Sequence, residues 1–342
     1  MNIMLPQHLQ ISSTDASAAA DNSDPYLIDQ LCFMQQQEQE SCYLAADYLA
    51  PRPRRTTAVT SSDRRTMCSW SYDIVDACSI DREVACIAMA YFDRFMSTDT
   101  KRAHAALVSR REFQLAFIAC LVIALKCRAG MQVDSDFVSD TICQGLYDAK
   151  EIMDMESEVL SALQWRLSGP STHEFIRGFL ELLPVMVGRD SMIAQLKSLA
   201  NVQVEEAVLD YSTALRSSPS SVAYTALLAA MSKMDGNIFH LLDRLAWTHN
   251  IGMVTGLRAD DIASPLVRDA GPFESISSTG MQRNGAAASS NLYKAVSLDS
   301  YCDPMPAASS IRSENDYTEP YFDVLSAASD MSPVSAMLDG RW

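Results

Sequence analysis

Five histidines stand at positions 8, 104, 173, 240 and 249, and nine cysteines at 32, 42, 68, 78, 86, 120, 127, 143 and 302. No histidine has a metal-ligand neighbour at a spacing such as HExxH, and no two cysteines form a CxxC pair, so no zinc site is expected. No G-x-S-x-G nucleophile elbow occurs. Glycine is absent before Gly130, and the stretch 54–129 contains neither glycine nor proline. Loops that cradle phosphates need glycine, so a Rossmann fingerprint and a P-loop are both missing. His173, in the first turn of a helix, and His240 read as structural. No cofactor and no catalytic activity are expected.

The elements behind these residues are helical. Met67, Trp70, Ile74 and Val75 follow the i, i+3, i+4, i+7 pattern of a first core helix. Val84, Ile87, Ala88, Tyr91, Phe92 and Phe95 line one face of a second. Ser109 to Glu112 is a capping box that opens a third, whose 11-residue apolar run, Leu115 to Leu125, is too short for a membrane span of about 20. A fourth helix is expected near 134–146, and a fifth opens at Asp148 to Glu151. Ser168-Gly169-Pro170 stops this set. Ser171 to Glu174 begins a second, with helices near 175–183, 190–210, 222–231 and 237–248; Ser218-Pro219 caps the third of these. Residues 26–49 are expected to form one further helix.

The fold class is therefore all-α, with two tandem five-helix domains, an N-terminal helix and disordered termini. The expected boundaries are a disordered 1–25, a helix and linker over 26–62, domains over 63–168 and 169–262, and a tail over 263–342. Residues 262–342 hold five basic and ten acidic side chains and no sustained periodicity, so the tail buries too little apolar area to fold.

The formal charge is −16, from 27 basic and 43 acidic side chains. Neutralising phosphates takes clustered Lys and Arg, so direct nucleic-acid binding is not expected. The odd cysteine count and helical placement read as reduced thiols in an intracellular protein. No signal peptide is seen in the first sixteen residues. Arg52-Pro-Arg-Arg55 is a short candidate for nuclear localisation.

Three stretches carry a family resemblance. ValAlaCysIleAlaMetAlaTyrPheAspArgPheMetSer (84–97) resembles the second helix of the cyclin box, which ends Y-[IL]-D-R-F-L-S. GlnLeuAlaPheIleAlaCysLeuValIleAlaLeuLysCys (114–127) resembles its central helix, and 155–175 resembles its fifth helix and the following linker. All three occur in order and at family spacing over about 64–175. A weaker likeness over 175–250 resembles the C-terminal cyclin domain.

The resemblance implies a tandem cyclin fold and a regulatory subunit that forms a heterodimer with a cyclin-dependent kinase. It implies that Lys126 and Glu156 project onto the kinase, with Ile123, Leu160 and Leu167 supplying the apolar centre of that face. An ammonium with three donors binds loop carbonyls, and a carboxylate accepts the free N–H groups of a helix N-terminus. It implies a structural ion pair between Arg64 and Asp93, and a residual substrate-docking patch at Trp70 and Gln114. Arg128-Ala129 replaces the usual acidic pair after the lysine. Protein substrates and the ubiquitin machinery are further partners it allows, the latter through the Ser- and Pro-containing tail with Ser264-Pro265 and Ser332-Pro333. Expected localisation is nucleus and cytoplasm. The other reading is a cyclin-fold transcriptional regulator or scaffold without a cell-cycle role.

Overall fold

Most helix starts are written into side-chain caps. The Thr60 hydroxyl accepts from the Asp63 N–H while Asp63 accepts from the Thr60 N–H (2.7 Å), opening α2, Ser61–Ala77. The same reciprocal pairs, Asp148 with Glu151 and Ser171 with Glu174, open α7 (Ala149–Ala162) and α8 (Thr172–Glu181). Ser109 accepts from Glu112 N–H and opens α5, Arg110–Arg128. Ser218, followed by Pro219 at the first helical position, opens α11, Pro219–Lys233.

The computed structural model describes residues 25–50, 57–183, 188–236 and 239–258, all in one compact unit. The remaining helices are α1 (Pro25–Glu38), α3 (Glu83–Met96), α4 (Lys101–Val108), α6 (Ser135–Phe137), α9 (Arg189–Leu209), α10 (Tyr211–Arg216) and α12 (Leu241–Thr255). No strand occurs among the described residues. Arg52–Arg55, Ser264-Pro265, Ser332-Pro333 and the whole expected tail lie outside them.

Two cores organise these helices. The first surrounds α5, where every residue from Phe113 to Leu125 is buried. A helix apolar on all sides must be enclosed, and α2, α3, α4 and α7 do this. Phe92 of α3 meets Phe113 and Phe117 edge-on, at 4.8 and 5.4 Å between ring centroids. The second core gathers Phe175, Phe179, Leu196, Val204, Leu227 and Trp247 from α8, α9, α11 and α12, and it takes in Leu31 and Met34 of α1.

Three elements depart from the sequence reading. The expected 26–49 helix ends at Glu38, and residues 39–50 run on as turns and extended strap. Long-range contacts hold that strap: the Arg94 guanidinium lies 5.2 Å from the Tyr43 ring centre, and Tyr48 is buried beside Asp93. The expected fourth helix is only α6 followed by a π-helical turn, Val138–Ile142. An unexpected short helix, α4, sits between the second and third, capped by Thr100.

Candidate functional site

The outer end of α5 and the middle of α7 form one charged pair. α5 stays buried up to Leu125 and then surfaces at Lys126, Cys127 and Arg128. Gly130, at φ +64°, supplies the left-handed residue that ends it. On α7, Ile152, Met155 and Val159 face the core, and Glu156 lies at the edge of that stripe. Lys126 Nζ donates to Glu156 Oε2 at 2.7 Å. The Lys126 side chain is 37% exposed and that of Glu156 only 12%.

The second carboxylate oxygen, Glu156 Oε1, is buried without a hydrogen-bond partner among the described residues. A buried acceptor left unpaired is costly. Apolar side chains frame it. Met153 and Leu160 lie one turn either way from Glu156 on α7, the first 49% exposed and the second half-buried. Leu167 is half-buried. Ile123 does not join them: it is 2% exposed and belongs to the first core. A helix buried on every side has no outer face at that position.

Trp165 is the residue that sequence patterning passes over. It is 71% exposed, and it and Gln164 hold φ values of +59° and +54°. Two successive non-glycine residues in that region carry backbone strain of about 1–2 kcal/mol each. The strained turn closes through the Trp165 N–H to the Leu160 carbonyl, 3.0 Å, and leaves the indole on the surface beside α7. An aromatic just past a helix end reads as core in a sequence; only its backbone reveals otherwise.

Arg64 and Asp93 meet as a fully enclosed pair. Arg64 Nε donates to Asp93 Oδ1 at 2.9 Å and Nη2 to Oδ2 at 2.6 Å, a two-pronged bond. Its third nitrogen, Nη1, donates to the Val208 carbonyl of α9, and the Tyr48 hydroxyl donates to Asp93 Oδ1. One pair thus bolts together α2, α3, the strap and α9. Burial alone would lower the Arg64 pKa, but the Asp93 charge and its hydrogen bonds hold it above the ordinary arginine range. Tyr48 is pushed far up, by burial first and then by Asp93.

Trp70 and Gln114 are also interior, at 1% and 0% exposure. Trp70 packs edge-on against Phe117, and Gln114 accepts from the Tyr147 hydroxyl at 2.9 Å. Neither offers surface to a docking peptide, because Trp70 of α2 and Gln114 of α5 both point into the first core's interior. Arg128, in place of an acidic residue, pairs with Glu174 at 2.8 Å and ties α5 to α8. The cysteines of the described residues are free, and burial pushes Cys68 and Cys143 up to about 12. No group of three His, Cys, Asp or Glu among those residues is placed to hold a metal ion.

Residues 29–168 match the family model of the cyclin N-terminal domain. Cyclin-A1-1 of Arabidopsis thaliana is 29% identical over 180 residues, covering 52% of this chain and 36% of the relative. The G2/mitotic-specific cyclin-A of Hydra viridissima is 24% identical over 214 residues, covering 62% and 46%. Cyclin-B1-1 of Arabidopsis thaliana is 26% identical over 195 residues, covering 57% and 41%. The chain thus spans between a third and a half of the length of these curated relatives. A viral cyclin from herpesvirus saimiri shares the fold, with a TM-score of 0.54 at 16% identity over 71% of this chain and 94% of that one. Residues 29–168, with the enclosed Arg64–Asp93 pair and the apolar central helix, thus resemble a cyclin N-terminal domain.

Proposed function

We propose that this chain is the non-catalytic regulatory subunit of a cyclin-dependent serine/threonine kinase and acts in cell-cycle progression. The Lys126–Glu156 pair carries the reading, through the buried Glu156 Oε1, which has no partner among the described residues. On binding, Glu156 accepts from the N–H groups at the start of the kinase's regulatory helix, and Lys126 donates to carbonyls of the loop before it. Met153, Leu160, Trp165 and Leu167 supply the apolar centre that a stable interface requires. Kinase activity depends on the position of that helix, whose glutamate pairs with the ATP-binding lysine. Activation then follows from higher affinity for the active arrangement than for the inactive one. Relatives with the names of A- and B-type cyclins, one of them called G2/mitotic-specific, support the cell-cycle assignment. The chain would work in nucleus and cytoplasm, with its acidic tail as the handle for turnover by the ubiquitin machinery.

Affinity purification of the full chain from synchronised cells, followed by mass spectrometry and a phosphorylation assay, tests this. The expected result is one co-purifying kinase whose activity rises when the chain is added back. Recovery of transcription factors with no stimulated kinase would overturn it.

A further inference from the structure

A cleft of about 800 Å³ runs along α3 between the strap, the linker that follows α7, and the α10–α11 corner. Arg64, Arg94, Arg128 and Arg216 line it, against two acids, Glu38 and Asp93. This excess of positive charge sits in a chain of net charge −16. Both acids are already engaged. Glu38 accepts from the Ser220 backbone and hydroxyl, and Asp93 from Arg64 and Tyr48. Arg64 and Arg128 are engaged as well, by Asp93 and Glu174.

Arg94 is different. It is 7% exposed, yet its guanidinium meets only carbonyls, with Nε on Cys42 O at 2.9 Å and Nη2 on Arg166 O at 2.8 Å, and the Tyr43 ring. No carboxylate pairs with it among the described residues. Carbonyl dipoles satisfy donors but do not neutralise a buried charge. Burial accordingly pulls its pKa below the ordinary arginine value. Arg216, at the end of α10, is exposed on the same cleft and has no hydrogen bond or ion pair among the described residues. Two guanidinium charges without counter-ions thus face one cavity of small-ligand size.

We propose that this cleft is an oxyanion site that takes a phosphate monoester, its oxygens accepting from Arg94 and Arg216. A phosphate dianion supplies the two negative charges that the pair lacks; Arg94, whose Nε and Nη2 are held by carbonyls, offers it Nη1, and Arg216 offers its whole guanidinium fork. The organic part of the ester lies along the α3 floor of Ile87 and Ala90. Neither Lys126 nor Glu156 lines this cleft; of the residues assigned to the kinase-binding face only Leu167 borders it.

Calorimetric titration of the full chain with inorganic phosphate and with O-phosphoserine tests it, at low ionic strength with chloride as the control anion. Saturable binding of at least one probe is expected, with a dissociation constant below about 1 mM. Arg216→Ala, a surface change, and Arg94→Gln should each weaken it by about tenfold or more. Should Arg94→Gln lose its cooperative thermal transition, Arg216→Ala alone decides. Tighter binding of O-phosphoserine than of inorganic phosphate supports an ester that is read through its organic part, and equal binding supports recognition of the phosphate group alone. Absence of saturation by both probes, or unchanged affinity in Arg216→Ala, overturns the proposal. No kinase is present in the measurement, so its failure would leave the kinase-binding reading standing.

Discussion

Arg64 and Asp93 show how much one pair can organise. Arg64 is fully enclosed and ties three nitrogens to Asp93 and to the Val208 carbonyl of α9. Removing one member of such a pair strands a buried charge, at a cost of about 3–5 kcal/mol. Arg64→Met and Asp93→Asn should each lose about that much in urea unfolding, and the double variant should lose clearly less than the sum. Additive losses would show that the two side chains do not depend on each other. His173 predicts a pH effect. It is 4% exposed, and its Nδ1 has no partner among the described residues. Burial lowers its pKa from the ordinary 6.5, against the opposing pull of Glu83 and Asp81; Arg177 and Lys197 also face it and lower it further. A base with a lowered native pKa contributes stability above 6.5 that is lost as the pH falls, because the unfolded chain takes up the proton first. His173→Gln should therefore flatten the stability curve just below pH 6.5, measured by denaturant midpoints across that range. An unchanged slope would contradict a buried neutral histidine.

At the scale of elements, α1 belongs to the second core although it precedes the first in sequence. Leu31 is 1% exposed and lies against Gly178 of α8, where an added Cβ would come within 2.7 Å of Leu31 Cδ2. Cys32 and Gln35 bond to carbonyls at the end of α12, and Glu38 caps α11 through Ser220. Leu31→Ala should cost about 2–5 kcal/mol in equilibrium unfolding; a loss below about 0.5 kcal/mol, the usual range for surface sites, would mean that α1 merely rests on the surface. Helices with local signals are legible from sequence: the caps at Ser109, Asp148, Ser171 and Ser218 mark real starts, and Gly130 marks a real stop. The strap over 39–50 is not, because Tyr43 and Tyr48 are fixed by Arg94 and Asp93, some fifty residues away in sequence. Nor is α4, whose Lys-Arg-Ala-His-Ala-Ala-Leu-Val offers almost no apolar stripe. The site is legible in the same uneven way. Motif spacing locates Lys126 and Glu156, but their mutual bond spans thirty residues, and the burial of Ile123, Trp70 and Gln114 depends on neighbours that no local pattern shows.

At the scale of the molecule, the described residues form two helical cores joined by the Arg64–Asp93 pair, the strap and α1. These contacts place the outer ends of α5 and α7 side by side, so that on the proposed function Lys126 and Glu156 would meet the kinase already paired. Such preorganisation lowers the cost of association. The pair itself adds little to stability, because Lys126 is more than a third exposed and exposed pairs contribute under about 1 kcal/mol. Stability and partner binding are therefore separable at this site. The double reversal Lys126→Glu/Glu156→Lys keeps an attractive pair within the chain and inverts the charges offered outward. With the purified kinase partner in hand, its binding and stimulated phosphorylation should be compared for the unaltered and doubly reversed chains, with thermal unfolding recorded alongside. The account predicts an unfolding midpoint within a few degrees of the unaltered chain, with kinase binding weakened at least about a hundredfold and stimulation lost. A doubly reversed chain that binds and activates its kinase as the unaltered one does would contradict it.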